Sequence, residues 1–210
     1  MPDEIVPGVY DLTLRETADG KRYRVYLIDD DVPTLFDVGL EATTDALFEA
    51  VDAVDPDPER VVITHGDADH VGGLATVVER YDVDVWLPEE TDLDADIGPA
   101  HRFSDGDTVG SFTAVHTPGH EPDNYVLIDE DRELAVMGDA VSGADQRGLP
   151  EGYFHLPPAA YSRDLNQAEE SLERLLEFEF DVALVYHGSS VVSDASEKLH
   201  RYVEFPGKPS

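Results

Sequence analysis

The sequence predicts an α/β layered fold with its sheets packed in the middle. Three observations lead there. Strand-type and helix-type segments mix in both halves of the chain, no repeat, linker or low-complexity stretch divides it, and 210 residues suffice for one domain with a proper core. With 41% hydrophobic and 29% charged residues, the composition is that of a globular chain and not of a disordered one.

In the first half, residues 9–14 and 23–29 read as strands, and 33–37 pairs with the second across the acidic turn Asp29-Asp30-Asp31. The spacing of Leu47, Ala50, Val51 and Val54 predicts a helix over 43–54, ended by Pro56 and Pro58. Residues 60–64 form a short buried strand. A helix over about 70–81 carries Leu74, Val77, Val78 and Tyr81 on one side, and 83–87 is the next strand. In the second half, 107–116 holds a Gly-interrupted strand pair, and 124–129 with 134–138 forms a hairpin. Residues 144–162 read as irregular, broken by Gly148, Pro150, Gly152, Pro157 and Pro158. A helix starts near Asp164, with Asp164 and Gln167 as a capping pair and Leu165, Ala168, Leu172, Leu175 and Leu176 as its face. A strand over 181–186 and a helix over about 194–203 complete the set.

Composition excludes several classes. No apolar run approaches the ~18 residues that span a bilayer. The N-terminus has no basic or apolar leader, and the expected location is cytoplasmic. With no cysteine there is no disulfide, thiolate metal site or thiol nucleophile. Forty-seven Asp and Glu against 14 Lys and Arg give a net charge of −33, spread along the whole chain, with Lys21, Lys198 and Lys208 the only lysines. Such self-repulsion is largely screened only near 1 M salt, where the Debye length is about 3 Å, so the chain reads as adapted to a salt-filled cytoplasm. No basic stripe offers itself to nucleic acid, and the expected partner is a small-molecule substrate.

The chemistry gathers at strand ends. Strand 60–64 runs into His65-Gly66-Asp67-Ala68-Asp69-His70-Val71-Gly72-Gly73, four metal-capable side chains within six residues. Imidazole and carboxylate together suit zinc, iron or manganese. His120 ends the turn Thr117-Pro118-Gly119-His120, Asp139 follows Gly138, and His187 precedes Gly188, each directly after an apolar strand. Strand ends on one sheet edge converge, so these residues can meet.

The pieces Thr-His-Gly-Asp-Ala-Asp-His-Val-Gly-Gly (64–73), Thr-Pro-Gly-His (117–120), Gly-Asp (138–139) and His-Gly (187–188), with Leu35-Phe36-Asp37-Val38-Gly39 ahead of them, resemble the metallo-β-lactamase fold superfamily. The resemblance runs from about residue 8 to about 203. It implies a four-layer αβ/βα sandwich with two mixed central sheets, a single domain over 1–210, and a two-metal site at one edge of the sheets. One metal would be held by His65, Asp67 and His120, the other by Asp69, His70 and His187, with Asp139 bridging and Asp37 buttressing the metal loop. Zinc is the first expectation, with manganese or iron as alternatives, since the superfamily's commonest pattern has His where this chain has Asp67. Two metals ~3.5–4 Å apart share a hydroxide that attacks a carbonyl or phosphoryl centre, with Asp69 orienting the nucleophile or returning a proton.

The implied function is hydrolysis of a small ester, thioester or lactone, in the manner of the glyoxalase II-like branch. The 23 residues after His187 leave room for a helix and a tail, not for the helical domain of true glyoxalase II, so the thioester itself stays open. The alternatives are di-iron or mononuclear iron redox chemistry on the same fold, or a small phosphodiesterase. The stretch following Asp139 supplies a candidate substrate pocket in Arg147, Tyr153, His155 and Tyr161, while His116, His101 and His200 read as structural or surface residues.

Overall fold

The computed structural model describes residues 2–16, 22–93 and 97–205; Lys21 and Lys208 lie outside them. The first half supplies strands β1 (Asp3–Val6), β2 (Val9–Asp11), β3 (Arg15–Glu16), β4 (Arg22–Tyr23), β5 (Tyr26–Ile28), β6 (Thr34–Phe36), β7 (Arg60–Val62), β8 (Asp84–Pro88) and β9 (His101–Phe103). Helices α1 (Thr44–Val51), α2 (Ala68–Val71) and α3 (Leu74–Tyr81) lie between them in sequence. The second half supplies β10 (Thr108–Val109), β11 (Phe112–His116), β12 (Tyr125–Asp129), β13 (Leu134–Val136), β14 (Ser142–Gly143), β15 (Phe154–His155), α4 (Leu165–Ser171), β16 (Val182–Leu184) and α5 (Ala195–Val203).

One sheet has the order β1-β2-β5-β6-β7-β8-β9, antiparallel up to β6 and parallel from β6 to β9. The other has the order β10-β11-β12-β13-β16, antiparallel except for the parallel β13–β16 pair. Both are mixed sheets, as expected.

The inner strands are mostly apolar on both faces, and the two-residue period of a strand sorts their side chains into three cores. Leu27, Leu35, Val61 and Ile63 share a core with Leu47 and Val51 of α1 and Leu74 and Val77 of α3. Their alternates Tyr26, Ile28, Phe36 and Val62 meet Phe112, Tyr125, Leu127, Leu134 and Leu184 from the second sheet. On that sheet's far face Val126, Ile128, Ala135 and Ala183 pack with Leu172, Leu175 and Leu199. Three cores between four layers make the αβ/βα sandwich. In the central core, Phe36 and Phe112 meet edge to face at 4.9 Å, and burying each ring contributes about 1.5–3 kcal/mol.

Several elements depart from the sequence reading, each for a local reason. The helix expected over 70–81 is interrupted at Gly72-Gly73. A Cβ on Gly72 would lie 2.5 Å from the Ala68 carbonyl oxygen and 2.7 Å from the Glu41 amide nitrogen, so only glycine lets this turn pass against the 38–41 segment. Strands β1 and β9 lie at the sheet's two edges and carry exposed residues (Asp3 and Glu4; His101 and Arg102), so neither presents an apolar run to be read. Inside the stretch expected to be irregular, β14 and β15 form an antiparallel ribbon. Asp164 does cap α4, accepting from the amides of Asn166 (2.9 Å) and Gln167 (3.2 Å). Its own amide donates to the Gly119 carbonyl at 2.9 Å, leaving nothing for the Gln167 side chain to close.

Among the described residues, only Asp11, Asp37, Asp129 and Asp139 of the acidic side chains are buried. Nearly all of the repulsion therefore acts across the surface, where salt screens it. The melting temperature, followed by circular dichroism, is expected to rise steadily from 0.1 M to molar salt; a flat profile would contradict this reading of the charge.

Candidate metal centre

Strands β6, β7, β13 and β16 end at one common edge of the sandwich, and β11 runs in the same direction as β13. Asp37, His65, Asp139, His187 and the 117–120 turn each follow one of these C-terminal ends. The amide of Tyr125 donates to the Thr64 carbonyl at 3.0 Å and ties the two sheets together there.

Seven side chains converge at this edge. The Nε2 atom of His120 lies 3.2 Å from Asp67 Oδ2 and 3.3 Å from Asp139 Oδ2. His187 Nε2 lies 3.4 Å from Asp69 Oδ2 and 3.5 Å from Asp139 Oδ2. His65 Nε2 is 3.7 Å from Asp67, and His70 Nε2 is 3.8 Å from Asp139 Oδ1. Three groups bring one ligand atom per residue within 4.8 Å of one another: His65 with Asp67 and His120, Asp69 with His70 and His187, and His65 with His70 and Asp139.

The residues fit divalent metal ions. His65 Nε2, His70 Nε2 and Asp139 Oδ1 are fully buried and have no hydrogen-bond partner among the described residues, although such atoms are costly to leave unpaired. The opposite ring nitrogens are all spoken for. Asp37 accepts from His70 Nδ1 at 2.8 Å, Thr64 Oγ1 lies 3.2 Å from His65 Nδ1, and the Arg22 carbonyl accepts from His187 Nδ1 at 3.2 Å. Those partners favour the tautomer whose Nε2 lone pair faces the centre, the usual outer support of a metal-binding histidine.

Electrostatics bind the cluster together. Burial alone would push His65 down, but Asp67, Asp139 and Asp37 outweigh it and bring His65 up to about 9. His187 reaches about 9 in the same way, against burial, through Asp139 and Asp69. His120 and His65 hold Asp67 well below the usual carboxylate range, and Asp69 falls to about 2 because His187 and His70 outweigh its burial. Burial opposes ionisation of Asp139, yet His187, His70, His120 and His65 together hold it low. Ionised carboxylates set against imidazole nitrogens are a donor set suited to a divalent cation.

The metal loop and its supports come from distant segments. Asp37, at φ +60°, accepts from the Thr64 amide (2.8 Å) and hydroxyl (2.9 Å) as well as from His70. Gly119, at φ +136°, sits so close to α4 that a Cβ would lie 2.1 Å from the Ala168 nitrogen, and the Arg163 amide donates to the His120 carbonyl at 2.9 Å. Sequence reasoning missed Asp123, which accepts from the Gly66 amide at 2.9 Å, and Asn124, which accepts from the Asp139 amide at 3.2 Å. Neither sits in a pattern of its own; only their place just ahead of β12 marks them.

The centre opens into a cleft of about 170 Å³ lined by Tyr23, Asp67, Asp69, His120, Asp139, Gln146, Pro158, Tyr161 and His187. Of the expected pocket residues, Tyr161 lines it. Arg147 is exposed and outside that lining, and Tyr153 lines a different groove beside α5. His155 is also outside the cleft, its Nδ1 turned to the Leu156 carbonyl. The β14–β15 ribbon carries this segment away from the His/Asp cluster, and Gln146, Pro158 and Tyr23, which the sequence did not offer as pocket residues, take the places at the rim. His116 is structural as expected, stacking on Tyr125 at 4.8 Å and meeting the Pro122 carbonyl at 2.7 Å.

The family model for the metallo-beta-lactamase superfamily matches residues 20–96 and 92–187, and the chain belongs to that superfamily. Within it the chain stands with the metallo-hydrolases. It is 26% identical over 186 residues to the probable metallo-hydrolase YflN of Bacillus subtilis, covering 67% of this chain and 70% of that one. It is 38% identical over 79 residues to the hydroxyacylglutathione hydrolase of Serratia proteamaculans, covering 35% of this chain but only 30% of that enzyme. The flavodiiron protein of Giardia intestinalis shares the fold, with a TM-score of 0.72 at 18% identity over 97% of this chain and 59% of that one. No helix among the described residues is long and apolar enough to cross a membrane.

Proposed function

We propose that this protein is a dinuclear metal hydrolase acting on a small ester, thioester or lactone. The observation that carries the reading is the convergence of three buried ligand atoms, on His65, His70 and Asp139, that have no hydrogen-bond partner among the described residues, beside an open cleft that Asp139 itself lines. His65, Asp67 and His120 would hold one ion, Asp69, His70 and His187 the other, and Asp139, facing both groups, would bridge them. Two divalent ions held there, zinc first, would supply a hydroxide nucleophile at neutral pH and would polarise the oxygen of the attacked group. Asp69, half-buried and ionised, lines the cleft, where it can orient the nucleophile or pass a proton to the leaving group. Tyr23 and Tyr161 flank the substrate, and the relative named hydroxyacylglutathione hydrolase supports an acyl compound as that substrate.

Asp67 favours a second reading. A carboxylate at this position is a hard oxygen ligand that draws manganese or iron more strongly than imidazole does, and a di-iron centre would serve redox chemistry. Elemental analysis of protein purified in molar salt, without added metal or chelator, tests both. Two zinc or manganese per chain together with turnover of an ester, thioester or lactone panel supports the hydrolase. Two iron with oxygen uptake supports the redox reading, and no metal uptake on titration overturns both.

Tyr161 gives a further expected result. It is 68% exposed at the cleft rim and touches no ligand contact described above. Tyr161→Ala is expected to lower kcat/KM about tenfold through KM, the scale of one aromatic contact, while metal content stays at the wild-type value. Unchanged kinetics on every accepted substrate would remove Tyr161 from the substrate pocket.

A further inference from the structure

The two ligand groups are supported differently, and one side chain accounts for much of the difference. Tyr186 ends the segment that follows β16 and is 2% exposed. Its hydroxyl donates to the carbonyl oxygen of Asp69. Its ring lies 3.7 Å from that of His70, tilted by 31°. It directly precedes His187 and meets that ring edge-on at 4.9 Å. Tyr186 thus touches Asp69, His70 and His187, all members of one ligand group, through three different contacts. Among the described residues, its side chain makes no hydrogen bond or ring contact with His65, Asp67 or His120.

We infer that Tyr186 is a positioning residue that sets the affinity of the Asp69–His70–His187 group alone, so that the two metal positions fill with separable affinities. The inference rests on the two-metal reading proposed above. The physical reason is reach. Asp69 and His70 come from α2, which follows β7, and His187 from the segment after β16, so the group is assembled across the gap between the two sheets. A buried hydroxyl that clamps the backbone of one ligand, and a ring that fixes the plane of a second, hold the loop in register with the third. The His65–Asp67–His120 group has its own supports, in Thr64, the Gly66–Asp123 bond and the α4 terminus, and none of them involves Tyr186.

The experiment is a zinc titration of metal-stripped protein in molar salt, with affinities read by chelator competition. Wild type is expected to take two equivalents. Tyr186→Phe keeps the ring and removes the clamp. It is expected to keep one equivalent at the wild-type affinity and to bind the other about ten- to a hundredfold more weakly, the range for loss of an outer partner. Tyr186→Leu, which removes ring and hydroxyl, should deepen the loss at that same equivalent. Far-UV circular dichroism identifies which variants are folded. Two unchanged affinities in the folded variants, or an equal fall in both, would overturn the inference, because a merely structural role would loosen both groups alike. A wild type that takes up fewer than two equivalents would instead sink the two-metal reading on which the inference stands.

Discussion

Replacing Asp139 with Ala or Asn is expected to strip the protein of metal and of hydrolytic activity together. The carboxylate is 3% exposed and lies within 3.3–3.8 Å of the Nε2 atoms of His120, His187 and His70. No other carboxylate in the cluster faces both ligand groups: Asp67 meets His65 and His120, and Asp69 meets His187. Loss of an outer partner costs about 10–100-fold in metal affinity, so loss of the shared ligand should exceed about a hundredfold at both positions. Asn keeps the volume and one oxygen but replaces the other with a donor, and an amide cannot offset the charge of two divalent ions. The check is metal content by elemental analysis beside kcat/KM on whichever acyl substrate the wild type accepts. A variant that retains two metals and full activity would show that the convergence is not the working site.

The metal-loop residues were legible because their chemistry is local. His65, Asp67, Asp69 and His70 lie within six residues, and a strand followed by glycines announces the loop. His120, Asp139 and His187 were legible for a different reason: each follows an apolar strand, and parallel or like-directed strands end at one edge. The buttress at Asp37 was named from the resemblance, and its three hydrogen bonds give it a physical role. Tyr186 and Asp123 were not legible, because their partners lie 117 and 57 residues away in sequence, and Asn124 belongs to no pattern that marks its bond to the Asp139 amide. Of the expected pocket residues, Arg147, Tyr153 and His155 failed in the same way, while Tyr161 lines the cleft. An irregular stretch after a ligand gives no register, so nothing in the sequence told that β14 and β15 pair and swing Tyr153 and His155 away while returning Tyr161 to the rim.

Metal affinity is expected to climb with pH up to about 9 and then level off. An ordinary histidine, with a pKa near 6.5, would compete with metal only below about pH 6. His65 and His187 instead reach about 9, because the carboxylates around them outweigh their burial. They belong to different ligand groups, so each metal must displace one such proton, and each affinity should fall about tenfold per pH unit below 9. Between pH 9 and pH 7 that amounts to about a hundredfold at each position, with close to two protons released per chain when both fill. Calorimetry in buffers of different ionisation enthalpy counts those protons. The same shifts fix the sign of the metal-free protein's stability. A histidine whose pKa is raised in the fold contributes stability that is fully present below about 6.5 and is lost as pH rises through about 9. Stripped protein should therefore melt at progressively lower temperature from pH 6.5 to 9. Metal-loaded protein should gain stability over the same range, since binding to the native state strengthens as the competing protons leave. Melting curves in molar salt, with and without chelator, should diverge with rising pH. Parallel curves would mean that the two histidines do not carry their protons in the metal-free fold, and that the acidic side chains at this edge are not coupled to them as the distances imply.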